Sequence, residues 1–319
     1  MLLTQNHIQP HEKEVPPNPY NNPLRLPKAL LTQVPYFTFR SITFLLLFSS
    51  LFTSLGFLLS TLLHPSPSVT WPPQITLSTS VTFLTAKFGH ASAFRLQVLE
   101  HCKYTVAWLR PQDNARCYYD FPQYILEDKR FKQHLRFLND PNDDSKRGGG
   151  YWFWKPFILN QTMIEIPEDT LIAFSDVDEP NIFNQAEEEI MKDFVEGEYD
   201  IGASFLPTFI EENWTKEDIF RYFSIPPESP YRKTGQYHVG RIFIRNSPPS
   251  RQLLSQVIEA VSDYHLVSDE PSNWPNAKGF EENRHDQSIL SLVLKMKMEV
   301  GKRVITPHFG EFHFFKEKI

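Results

Sequence analysis

Two carboxylates separated by one residue, Asp176 and Asp178, end an apolar run, Leu171-Ile-Ala-Phe. Acids in that pattern suit a divalent cation, because hard cations such as Mg²⁺ take oxygen ligands and share them with substrate phosphates. Two solvated acids at a strand end are the plain alternative. Upstream, Arg147-Gly-Gly-Gly-Tyr-Trp-Phe-Trp-Lys-Pro156 combines three glycines with two cations. Glycine lets backbone approach a ligand closely, and N–H groups at a helix start favour anions. Arg147 and Lys155 would add positive charge for a diphosphate. The same stretch also reads as a loop followed by an aromatic-rich core helix, and Trp152 and Trp154 fit that reading better.

Three later stretches carry polar residues in apolar surroundings. Thr234-Gly-Gln-Tyr-His-Val-Gly-Arg-Ile-Phe-Ile-Arg245 has glycines just before a strand, so backbone at Gly235 could pack against a substrate. His238 within it reads as a hydrogen-bonded structural histidine. Asn283-Arg-His-Asp-Gln-Ser-Ile-Leu290 opens a helix, and Asp286 could serve there as a cap for free N–H groups. Yet Arg284, His285, Asp286 and Gln287 together are costly to bury without a polar ligand. His308, in Ile305-Thr-Pro-His-Phe-Gly310, could complete a metal site as a neutral imidazole.

The elements that must hold these residues alternate. Val81–Thr85, Tyr104–Leu109, Leu171–Phe174, Ile201–Phe205 and Arg241–Arg245 read as strands. Helices are expected at 91–101, 122–138, 151–164, 249–264 and 286–298, the last with Ile289, Leu290, Val293 and Leu294 on its apolar face. Strands alternating with helices imply an α/β fold with a mostly parallel sheet. In such sheets ligands bind beyond the carboxyl ends of the strands, where Asp176 and Asp178 stand.

The formal net charge of −6 and a pI near 6.0 argue against nucleic acid as a partner. Ser41 to Leu63 is a run of 23 residues without a charge. As a helix it would be roughly 35 Å long, enough to cross a ~30 Å hydrocarbon core. Lys13, Arg25, Lys28 and Arg40 precede it, and no Lys or Arg follows until Lys87. That asymmetry places the N-terminus in the cytosol and the remainder across a Golgi or ER membrane. A cleaved signal peptide fits less well, for want of a small-residue cleavage site after Leu63. The expected organisation is a disordered tail (1–40), a signal-anchor helix (41–63), a Pro-rich stem (64–80) and one folded domain (81–319). Beyond the membrane Cys102 and Cys117 could pair, or stay buried as small apolar groups. Asn160-Gln-Thr162 and Asn213-Trp-Thr215 permit glycosylation there.

Lys155, then Asp176-Val-Asp178, then Asp286-Gln287 opening a helix, then His308-Phe-Gly310 occur in the order found in nucleotide-sugar glycosyltransferases of the GT-A fold. More narrowly, Gly150-Tyr-Trp-Phe-Trp-Lys-Pro156, Trp214-Thr-Lys-Glu-Asp-Ile-Phe220 and Arg284-His-Asp-Gln-Ser-Ile-Leu290 resemble a group of surface- and capsule-type glycosyltransferases. The resemblance spans roughly Val81 to Gly310. Many members of the group carry Asp-Ala-Gly where this chain has Asp176-Val177-Asp178.

The resemblance implies a GT-A-like, Rossmann-type domain that takes a UDP- or GDP-sugar and a glycan, protein or lipid acceptor. It implies Mn²⁺, or Mg²⁺ in its place, held by Asp176, Asp178 and His308. Lys155, Arg147, Asp176 and Gly235 would face the donor, and Asp286 and Gln287 the chemistry. Whether the transfer retains or inverts configuration stays open at this point. Two other readings compete: a silent lumenal binding protein of the same fold, and a phosphohydrolase of the haloacid-dehalogenase type. The second expects Asp-x-Asp early in its domain and Thr or Val two residues later, where this chain has Pro180.

Overall fold

The computed structural model describes residues 77–319 except 78, 90–91, 107–108, 111, 179–184, 307–309 and 319. The tail, the apolar 41–63 run, most of the stem and His308 therefore lie outside the described residues. Among the described residues no helix is long and apolar enough to cross a membrane.

Among the described residues seven strands form one sheet: β1 (Val81–Ala86), β2 (Asn114–Tyr118), β3 (Leu171–Ser175), β4 (Ile201–Ile210), β5 (Gly235–Arg245), β6 (Met298–Thr306) and β7 (Gly310–Glu317), in the order β2-β1-β3-β5-β4-β7-β6. Five longer helices accompany them: α1 (Ser92–Val106), α2 (Lys155–Glu165), α3 (Gln185–Glu196), α4 (Pro248–Val261) and α5 (Asp286–Lys297).

The α/β class holds, but the sheet is mostly antiparallel. Only β2, β1 and β3 run parallel; every other neighbouring pair is antiparallel. The reason lies in the connections. A helix that crosses the sheet returns the chain in the same direction, as α1 does between β1 and β2. Between β4 and β5 the chain makes only short helical turns, Glu211–Trp214, Glu217–Tyr222 and Pro230–Lys233, so β5 comes back antiparallel. The same holds for β6 and β7, separated by three residues.

The period-2 alternation of side chains divides the core in two. Ile172, Phe174, Ile242 and Ile244 point to the face packed with residues of α2, α4 and α5. Leu171, Ala173 and Phe243 point to the other face, with Met191 and Phe194 of α3. With both faces covered, β3 needs an unbroken apolar sequence, and all five of its residues are buried. Each large apolar side chain so buried contributes about 1.5–3 kcal/mol.

Two expected elements differ. Tyr104–Val106 is the last turn of α1, not a strand, and the strand is Asn114–Tyr118. As an edge strand paired only with β1, β2 stays half-exposed and needs no apolar run. Residues 122–138 form Gln123–Leu126 and two 3₁₀ turns instead of one helix, because the Asp128 carboxylate accepts the Arg130 N–H and restarts the chain. Cys102 on α1 and Cys117 on β2 are disulfide-bonded. Thr162 and Thr215 of the two glycosylation sequons are buried.

Candidate active site

The loop before α2 makes a turn of unusual hand. Gly148, Gly149, Gly150, Tyr151 and Trp152 have φ of +59°, +61°, +93°, +61° and +58°. Tyr151 N–H donates to Arg147 O at 2.7 Å and Trp152 N–H to Gly148 O at 3.1 Å, which closes one turn of left-handed helix. For Tyr151 and Trp152 that conformation costs roughly 1–2 kcal/mol each. Packing offsets it. A Cβ on Gly149 would lie 2.8 Å from Phe88 O, and one on Gly150 2.7 Å from His134 O, so only glycine fits. Tyr151 and Trp154 are core residues, and Trp154 Nε1–H donates to Gly148 O at 2.8 Å.

The turn hands the chain to right-handed α2, whose first residue is Lys155. Its side chain is 6% exposed. Lys155 Nζ donates to Asp176 Oδ2 at 2.7 Å and lies 3.9 Å from Asp286 Oδ2. Three sequence motifs thus meet at one ammonium: the glycine turn, the end of β3 and the start of α5. Asp176 is fixed from its backbone side as well, since its N–H donates to Gly240 O of β5 at 2.7 Å.

Burial raises the Asp176 carboxyl above its usual value, against the pull of Lys155. Asp286 is pushed up to about 7, again by burial first; Lys155 opposes the shift and Asp176 adds to it. The residue in the N-cap position of α5 is His285, and Asp286 is the first helical residue. The N–H groups of Asp286 and Gln287 still bias its carboxyl toward the charged form, so a capping role survives in part.

Asp178 is 72% exposed and pairs with Lys87 Nζ at 2.7 Å. Both line a cleft of about 300 Å³, walled by Phe88, Trp152 and Trp154 and carrying also Lys146, Arg147 and Asp176. It holds aromatic surface, three cations and two carboxylates together. Both tryptophans line this cleft, but Trp152 is half-buried whereas Trp154 is almost wholly taken up by the core.

The remaining expected site residues divide. Arg147 lines the cleft, but its guanidinium already meets Asp269 at 3.1 Å and Glu282 at 3.4 Å. Gln287 Nε2 donates to Gln236 Oε1 at 2.7 Å. That amide belongs to a buried network with Glu211, Thr215 and Ser288, and Glu211 in turn takes Lys295 Nζ at 2.7 Å. Gln287 thus ties α5 to β5. Gly235 is away from the cleft lining. A Cβ there would sit 2.2 Å from Leu206 O, so close approach of β4 and β5 at a bulge explains this glycine, rather than contact with a ligand. Among the described residues no group of three or more His, Cys, Asp and Glu side chains could hold a metal; the third expected ligand, His308, lies outside them.

The structure adds residues that sequence reading passed over. Lys87 follows β1 and gave no signal beyond being the first cation after the apolar run. Arg241 is 2% exposed, aligned with Ser175 across β3 and β5, with Nη2 3.5 Å from Ser175 Oγ. His238, which the sequence already marks as a structural histidine, is pushed down to about 4 by burial and by Lys155, Arg241 and Arg284. No family model, no curated protein and no solved structure matches the chain.

Proposed function

We propose that this chain is a glycosyltransferase, moving a sugar from a nucleoside-diphosphate sugar to an acceptor hydroxyl. One observation carries the reading: Lys155 links Asp176, in a cleft with aromatic walls and cations, to Asp286, a buried carboxyl with a pKa near neutrality. The cleft chemistry suits a nucleoside diphosphate. Trp152 offers a flat face for a base, and Lys87, Lys146 and Arg147 offer charge to phosphate oxygens. Asp178, exposed in the cleft, and Asp176 are oxygen donors that fit Mn²⁺ or Mg²⁺ once Lys87 releases its carboxylate. A bound cation would neutralise charge on the departing diphosphate.

Asp286 is suited to accept the proton of the acceptor hydroxyl, since a base works best with a pKa near the working pH. The acceptor oxygen bonds to the anomeric carbon, the bond from that carbon to the phosphate oxygen breaks, and the nucleoside diphosphate leaves. Lys155 keeps Asp286 oriented and shares its charge between the two carboxylates.

A lumenal domain on a single membrane anchor is part of the same proposal. It rests on the uncharged 41–63 run with cations only upstream, and on the Cys102–Cys117 disulfide, which suits an oxidising compartment. The test is acceptor-free turnover. UDP- and GDP-sugars, incubated with the full chain and Mn²⁺, should release nucleoside diphosphate in a metal-dependent way. Binding without release would favour a silent binding protein, and neither binding nor release for the whole panel would overturn the reading.

A further inference from the structure

Beyond Asp286 the surface changes character. Arg284, two residues before it, holds its guanidinium carbon 4.6 Å from the Trp214 ring centre and 5.0 Å from that of Phe209. Those two rings lie 4.9 Å apart. Trp214, Phe209 and Arg284 are all half-buried, with the Arg284 side chain 34% exposed. None of the three lines the cleft of Lys87 and Trp152.

This shelf is rigid by construction. The Trp214 carbonyl accepts the Arg284 N–H at 3.1 Å, the Ser288 hydroxyl at 2.7 Å and the Gln236 amide at 3.2 Å. Two of these donors, Arg284 and Ser288, flank Asp286 in sequence, so the shelf is tied to the segment that carries it. Two rings within 5.0 Å, tilted 41° to each other, confine the guanidinium from two directions. A planar, pre-oriented guanidinium grips a carboxylate or phosphate through two parallel hydrogen bonds, with little side-chain entropy left to lose.

The charge around the shelf favours an anion. The carboxylate within ion-pair reach of Arg284 among the described residues is Glu282, at 3.4 Å from Nε, and Glu282 also lies 3.4 Å from Arg147. One half-buried acid is thus divided between two arginines. The imidazole of His238 is acted on by Lys155, Arg241 and Arg284, all cations. Three cations, Arg284 among them, thus act together on this one side chain.

The geometry points to an acceptor subsite in which Arg284, backed by Phe209 and Trp214, binds the anionic group of a sugar bearing a carboxylate or a phosphate. This deepens the glycosyltransferase reading and rests on it for the word acceptor, while the anion preference itself can be measured apart from turnover.

The probes are methyl β-glucuronide, glucose 6-phosphate and the neutral methyl β-glucoside, titrated into the full chain while Trp fluorescence and calorimetric heat are followed. The wild-type protein should bind at least one anionic probe ten-fold or more tightly than the neutral one, and the two anionic arms separate carboxylate from phosphate. Arg284→Gln should erase that preference, and Arg284→Lys should retain part of it. Equal affinity for all three sugars in the wild type overturns the proposal before any variant is made, as does an undiminished preference in a folded R284Q chain. UDP with Mn²⁺ is titrated into the same samples. Loss of UDP binding with the anion preference intact would defeat the donor reading and leave the subsite standing as an anion site.

Discussion

The imidazole of His285 lies against the ring of Tyr151, their centres 5.1 Å apart, and both residues have positive φ, 56° and 61°. One precedes Asp286, and the other sits four residues before Lys155. The two backbone segments that carry the central ion contact are thus both strained, and each is braced by the other's ring. His285 Nδ1 is further held 2.6 Å from Val267 O. Strain of this kind persists only where the surroundings over-determine it.

Gly149→Ala tests that bracing. The new methyl would meet Phe88 O at 2.8 Å in a backbone at φ +61°. Urea unfolding should show a loss of about 1–3 kcal/mol. Tyr151→Gly relieves a positive φ worth roughly 1–2 kcal/mol but deletes a buried ring worth about 3–5, so it too should destabilise. A neutral Gly149→Ala would mean the left-handed turn is not what holds the loop.

Asp286 carries a pH signature. Its folded pKa, about 7, lies above the ordinary aspartate value of 3.8. The folded state therefore binds this proton more tightly than the unfolded chain does. Stability from this group is fully present below about pH 4 and declines as pH rises toward 7. Turnover runs the opposite way, because the base must be unprotonated: kcat/KM should climb through pH 7 and level off above it. Asp286→Asn should remove both slopes and lower turnover about a hundred-fold or more. Near-normal turnover in a folded Asp286→Asn chain would return this residue to the helix cap.

Lys155→Met leaves Asp176 and Asp286 without their shared cation. Breaking a buried pair costs about 3–5 kcal/mol. The cost should be larger at pH 8 than at pH 5, where Asp286 can protonate and become neutral. Chemical denaturation at the two pH values reads the difference, and a pH-independent loss would mean that packing, not charge, dominates.

Asp178→Asn keeps shape and removes charge at a side chain that is 72% exposed. Its melting temperature should change little. Calorimetric affinity for UDP with Mn²⁺ should fall about ten-fold, as one ligand-sized contribution of about 1.4 kcal/mol is lost. Unchanged affinity would remove Asp178 from the metal proposal.

Much of the site's chemistry was legible because buried strands and helix starts announce themselves in sequence. The four apolar residues Leu171–Phe174 gave both the strand and the position of Asp176 just beyond it. Lys155 stood out because a charge inside an aromatic run needs a partner, and its partners are two acids that sequence had singled out separately. Strand direction was not legible. It depends on whether a connection crosses the sheet or turns back at its edge, and the residues of the Glu211–Lys233 stretch do not encode that locally. β2 was missed for a related reason: an edge strand can be as polar as Asn-Ala-Arg-Cys-Tyr. The shelf of Phe209, Trp214 and Arg284 joins residues up to 75 apart in sequence, so no local pattern could have shown it.

The Cys102–Cys117 bond has one further consequence. It joins α1 to the edge strand β2, whose outer side has no neighbour in the sheet among the described residues. Sliding a strand by one position turns every side chain to the opposite face. With Cα atoms 6.2 Å apart, the two cysteines can stay bonded in only one alignment of β2 on β1. The crosslink therefore acts as a latch on alignment: it keeps the least apolar strand of the sheet in phase with its neighbour, where sequence hydrophobicity alone would let it slip.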